Sequence, residues 1–144
     1  MTASLTNEVA CVARSMRESL ELIDDTLKLE HLDWESVLYV GDTEYYQTKS
    51  GPVPNHQMRV SVRPSSGYGA LNYMDHSDSG TPIMNSYNPK RPLPSIDLVF
   101  NGSTGAVFPQ TAILPIADIR RALVEWIETR SRPTCIKWLP YDMH

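Results

Sequence analysis

Between Gln57 and Arg63 the chain alternates without a break, with Met58, Val60 and Val62 on one side and Arg59, Ser61 and Arg63 on the other. Successive side chains of a strand point to opposite faces, so this run predicts a strand with Met58, Val60 and Val62 turned into a core. A strand needs neighbours, and the chain supplies them. Ser36 to Val40 is a short β-rich run closed by Gly41-Asp42, Gly69 to Met74 puts Leu71 and Tyr73 on one face, and Ile83 to Tyr87 is a further candidate. Ile96, Leu98 and Phe100 alternate up to the turn signal Asn101-Gly102, and a last strand from Thr134 to Trp138 directs Ile136 and Trp138 to one face. Lys49 to Asn55 and the proline-stiffened, basic Asn88 to Pro94 read as loops, and Gly105 to Pro115 as irregular.

Two stretches change period. Ser15-Met16-Arg17-Glu18 has the form of a capping box and predicts a helix over 15–29, with Met16, Leu20, Ile23 and Leu27 on the core stripe and Val9 and Val12 as its extension. Glu18, Glu21 and Asp25 fall on the opposite side of that wheel, with Leu22 and Leu29 close beside them. Ile116, Ile119, Leu123, Trp126 and Ile127 line a second helix that ends near Thr129, where Arg130 and Arg132 suit the negative end of the dipole and Pro133 stops it. The order helix, five strands, helix, strand predicts an α+β fold in a single domain over residues 1–144. Its mainly antiparallel sheet would carry the two main helices packed on one face.

The search for chemistry returns little. No apolar run approaches the roughly 20 residues that span a bilayer, and the N-terminus lacks a secretory pattern, so a cytoplasmic protein without membrane contact is expected. Cys11 and Cys135 are the only cysteines, expected to be reduced and buried. His31, His56, His76 and His144 are scattered, with no zinc-type spacing, and no Gly-x-Ser-x-Gly elbow is present. Gly67-Tyr68-Gly69 is followed by a strand pattern and not by the helix a phosphate cradle needs, so these glycines are expected to shape a strand entrance where backbones pass closely. Asp75-His76-Ser77-Asp78 is the one polar cluster with acid–base potential, in a stretch whose aspartates also suit a turn. No cofactor is expected.

Charge is more informative. From Glu18 to Glu44 nine acids face one base, Lys28, a local net charge of −8; the rest of the chain, with 12 bases and 8 acids, carries +4. Such a block repels nucleic acid and attracts basic proteins. Trp34, Tyr45 and Tyr46 lie in or beside it, and large aromatics next to charge are residues that anchor protein interfaces as well as residues that pack at strand ends.

Four landmarks resemble a family when taken in order: Gly67-Tyr68-Gly69-Ala70-Leu71-Asn72-Tyr73, Val107-Phe108-Pro109, Leu114-Pro115 leading into the second helix, and Arg132-Pro133 with Ile136-Lys137-Trp138. They are similar to the deaminase-associated immunity proteins, immunity family one, of bacterial polymorphic toxin systems, over Ser36 to Trp138. The resemblance implies a non-enzymatic α+β protein made beside a toxin to neutralise it, the toxin commonly being a zinc-dependent deaminase, some of which act on cytosine in DNA. A nucleic-acid deaminase must present a basic channel to its pocket, so an acidic inhibitor would compete with the nucleic acid there and associate fast. On that reading the partner-binding residues are Glu21, Asp25, Asp42, Glu44, Tyr45 and Tyr46, with Asp75 and Asp78 as a second contact loop, and no direct nucleic-acid binding. A small-molecule or peptide-binding module, and an enzyme using Asp75, His76 and Asp78, are the alternatives.

Overall fold

A computed structural model describes residues 1–6, 9–48, 51–75, 80 and 82–141, and for residues 41–48 and 51–55 the strand backbone alone. The alternating run at its centre is β4 (Gly51–Arg63), flanked by β3 (Ser36–Thr48) and β5 (Tyr68–Asp75). Outward on the β5 side come β6 (Ile83–Tyr87) and β10 (Lys137–Pro140), and on the β3 side β1 (Thr2–Leu5) and β2 (Val9–Val12), in the order β10-β6-β5-β4-β3-β1-β2. β9 (Leu114–Pro115) pairs with β5, and β7 (Val99–Asn101) with β8 (Ala106–Val107) forms a separate two-stranded piece. Every described pairing is antiparallel, as expected for the consecutive strands β1–β2, β3–β4, β4–β5, β5–β6 and β7–β8; β1–β3, β5–β9 and β6–β10 pair across longer connections. The chain is therefore α+β, with a mainly antiparallel sheet and two helices.

Helix α1 (Met16–Leu27) starts at Ser15, whose hydroxyl accepts from the Glu18 N–H at 3.1 Å. Glu18 closes the box by accepting from the Arg14 N–H at 2.7 Å, one residue before the cap. Helix α2 (Ile116–Thr129) has the predicted bounds and ends on Arg130 in the left-handed conformation, φ 55°. α1 packs on α2, and α2 on β5 and β9.

Met58, Val60 and Val62 are fully buried, and Leu71 and Tyr73 join them, together with Leu22, Ile23 and Leu27 of α1 and Ile119, Leu123, Trp126 and Ile127 of α2. Behind the sheet, Ala70 gathers with Leu98, Phe108, Ala112 and Ile113 in a second cluster. That cover explains why Ser61, predicted to face outward, is fully buried.

Several expectations need correcting. The buried stripe of α1 is Ser19, Leu22, Ile23, Thr26 and Leu27, while Met16 is 50% exposed. Thr26 can face inward because its hydroxyl donates to the Leu22 carbonyl at 2.7 Å, which leaves no polar atom unpaired. Val9 and Val12 do not extend the helix; they lie on β2, exposed, in an N-terminal hairpin whose short β-rich segments carry only weak alternation. The 49–55 loop is replaced from Gly51 onward by strand. The last strand starts at Lys137 and not at Thr134. Cys11 and Cys135 are free but only half-buried.

Gly67 and Gly69 divide the work of the β4–β5 turn. Gly67 takes φ 80°, a conformation that strains any other residue, while a Cβ on Gly69 would sit 2.5 Å from Val62 Cγ1 and 3.1 Å from the Ser61 carbonyl oxygen. A strand follows, and the backbones do pass closely.

Candidate partner-binding surface

The fold scatters the acidic block. Glu18 is occupied at the α1 N-terminus. Asp24 accepts from Arg120 Nε at 2.8 Å and ties α1 to α2, and this hydrogen bond holds its carboxyl below the usual carboxylate range. Glu30 accepts from the Ser65 N–H at 2.6 Å and from its hydroxyl at 3.1 Å, which fastens the turn between β4 and β5. Glu35, buried, accepts from the Gly102 N–H at 2.9 Å and fastens the turn after β7. Gly102 itself fits against Trp34, since a Cβ there would run into the indole and lie 2.5 Å from the Asp33 carbonyl oxygen. Trp34 is thus half-buried packing that holds a turn.

The acids expected at the contact lie elsewhere. Glu21 and Asp25 are exposed on α1; Glu21 shares an exposed pair with Arg17 at 3.3 Å, worth a few tenths of a kcal/mol. Asp42, Glu44, Tyr45 and Tyr46 lie on β3 where it pairs only with β4, Tyr45 opposite Pro54 and Tyr46 opposite Val53. Beyond Val40 and His56 the two strands continue as a ribbon with no third strand among the described residues. Asp75 ends β5 opposite His56, so it shares that end of the sheet with the base of the ribbon. Asp78, with His76 and Ser77, lies outside the described residues. Topology therefore brings Asp42, Glu44, Tyr45, Tyr46 and Asp75 to one end, and leaves Glu21 and Asp25 on the helix.

Sequence reasoning missed His56. Its Nδ1 lies 2.9 Å from the Tyr73 hydroxyl and 3.7 Å from Asp75 Oδ2, and its ring stacks on Tyr73 at 6.2 Å. Tyr73 in turn meets Trp126 edge-on at 6.5 Å and Trp138 at 6.0 Å. The constellation joins the end of the sheet to the core by hydrogen bonding and ring packing. Only the β4–β5 register brings His56 and Asp75 together, and register is not written in either residue.

His31 is fully buried in the loop after α1. Its Nδ1 lies 3.0 Å from the Leu29 carbonyl and 3.1 Å from that of Val62, and its Nε2 2.7 Å from Ser36 Oγ, which accepts from the Thr6 N–H at 3.2 Å. The two nearby carbonyls favour the proton on Nδ1, with the Ser36 hydroxyl donating to Nε2, over the longer 3.3 Å approach of the Val62 N–H to Nδ1. Burial pushes the imidazole below its usual range, partly offset by the Val62 and Leu29 carbonyls.

Among the described residues no group of three or more His, Cys, Asp or Glu could hold a metal ion, and no helix is long and apolar enough to cross a membrane. A family model described as Immunity protein Imm1 matches residues 7–140. No curated protein matches the chain.

Proposed function

Because the chain belongs to the Imm1 family of immunity proteins, we propose that it binds and neutralises a cognate bacterial toxin of the deaminase type, by covering the toxin's active-site or nucleic-acid entrance. The family match over residues 7–140 carries this reading. The toxin is a zinc-dependent deaminase domain, some relatives of which act on cytosine in DNA, and the chain acts in the cytoplasm, where it protects a cell during interbacterial competition. It works as one non-catalytic domain, with both helices laid on one face of the sheet and no direct contact with nucleic acid.

The contact is made by Asp42, Glu44, Tyr45 and Tyr46 on the β3–β4 ribbon, together with Asp75 and Asp78 as a second contact, with Glu21 and Asp25 adding charge from α1. A strand ribbon that projects past its sheet offers a narrow element for a concave site, and acids on it oppose the basic channel a nucleic-acid deaminase presents. Acids already bound to turns, such as Glu30 and Glu35, contribute long-range field and no contact. The test is co-expression with the neighbouring toxin. Growth restored by the native chain, and lost with Asp42→Lys/Glu44→Lys, supports the reading; growth that the native chain does not restore removes it.

A further inference from the structure

At the opposite end of β5 from Asp75 lies a groove of about 390 Å³. Its lining includes the largely apolar side chains of Tyr68, Tyr87, Leu114 and Ile136 and the proline-rich loop after β6. The rim carries Lys90, Lys137 and Arg121. Lys90 and Lys137 are exposed and form no ion pair among the described residues, while Arg121 is shared with Asp118, the one acid of the lining. Burial and the nearby Glu125 push the Cys135 thiol up, so it adds no negative charge to the groove.

Both walls are fixed by hydrogen bonds. Asn88, buried, donates to the Ile113 carbonyl at 2.9 Å and accepts from the Lys90 N–H at 2.9 Å, which sets the course of the proline loop. On the other wall Glu125 of α2 accepts from the Thr134 N–H, and Trp138 Nε1 donates to the Pro133 carbonyl at 2.7 Å. A preformed cleft of this size with largely apolar side chains and a few charged groups in its lining is suited to a ligand that brings both apolar and anionic groups. Its lining of prolines and tyrosines suits the side chains and backbone of an extended chain.

We propose that this groove binds an extended acidic peptide segment of a second protein, an apolar side chain seated among Tyr68, Tyr87 and Ile136 and carboxylates on Lys90 and Lys137. The site is independent of the toxin contact, which lies at the other end of β5. Charge complementarity selects the occupant: the groove is basic on a chain that is acidic overall, so it discriminates against the basic partners that the stretch from Glu18 to Glu44 attracts.

The test is fluorescence anisotropy with the full chain and a short fluorescein-labelled peptide alternating glutamate and leucine. The expected result is saturable binding that weakens with added salt, falls about tenfold in Lys90→Glu/Lys137→Glu, and is absent for the same peptide with lysine in place of glutamate. Both lysines are exposed, so the double variant keeps its fold, which far-ultraviolet circular dichroism checks. No saturable binding, or binding that the double variant leaves unchanged, overturns the proposal. Tighter binding of a single-stranded oligonucleotide, or displacement of the peptide by the unlabelled chain itself, overturns the choice of occupant. A chain that binds the peptide but fails to restore growth with the toxin would keep the groove and lose the immunity reading; the converse would do the reverse.

Discussion

Glu30 and Glu35, in the loop after α1, and Glu21 and Asp25, on its outer face, belong to one acidic stretch but have different surroundings. The loop acids receive backbone N–H groups from turns more than thirty residues away in sequence, Ser65 and Gly102. The helix acids point to solvent, one of them held loosely by Arg17. A charge count treats all four alike. The difference teaches that charge near a folded surface divides into acids spent on holding the chain together and acids left for a partner, and only the second group can be traded without loss of stability.

The comparison breaks most sharply at the turn that Glu35 holds. Gly102→Ala should destabilise the chain by about 3 kcal/mol, because the new methyl meets Trp34 and the Asp33 carbonyl with no room to shift; chemical denaturation measures it. Glu35→Ala should cost about 2 kcal/mol, since it leaves the Gly102 N–H without its acceptor, and Glu30→Ala about 1 kcal/mol at its more exposed turn. A negligible cost for both would put the loop acids with the helix acids.

The same loop predicts a pH response. His31 is folded neutral, with its pKa lowered by burial, whereas an unfolded histidine titrates near about 6.5. The unfolded chain therefore takes up the proton first, so this contribution to stability is complete above about pH 6.5 and declines as pH falls below it, by at most about 1.4 kcal/mol per pH unit. Thermal unfolding between neutral and mildly acid pH should show the decline, and His31→Gln should flatten that part of the profile. The smallest effect is expected on the helix. Glu21→Lys/Asp25→Lys should change stability by no more than about 0.5 kcal/mol, and a larger loss would mean that these acids also hold structure.

Much of the fold could be read from spacing. The run from Gln57 to Arg63 gave its buried face correctly, and the α2 stripe gave both ends of the helix and the buried Trp126. Where spacing misled, burial was decided by features with no periodic signature: Thr26 satisfied its hydroxyl on its own helix and turned inward, and the cluster of Leu98, Phe108, Ala112 and Ile113 around Ala70, the register partner of Ser61, covered that face of the sheet. The partner surface was legible as composition and not as geometry. A count of acids cannot say which will cap a distant turn, and the pairing of His56 with Asp75 depends on a register that appears only in the folded sheet. The groove was half visible, as the proline-stiffened basic loop, but its other wall comes from α2 and from Cys135 to Lys137, far along the chain.

The central claim is that this chain captures its toxin by direct contact through the acids of the β3–β4 ribbon. The most direct measurement is the association rate of the purified toxin domain with the native chain and with Asp42→Lys/Glu44→Lys, at low and high ionic strength. The account predicts an association slowed about tenfold by the charge reversal at low salt, with the two rates converging as salt screens the charges. Equal rates at low salt would contradict the ribbon contact, and no association with the native chain would contradict the claim as a whole.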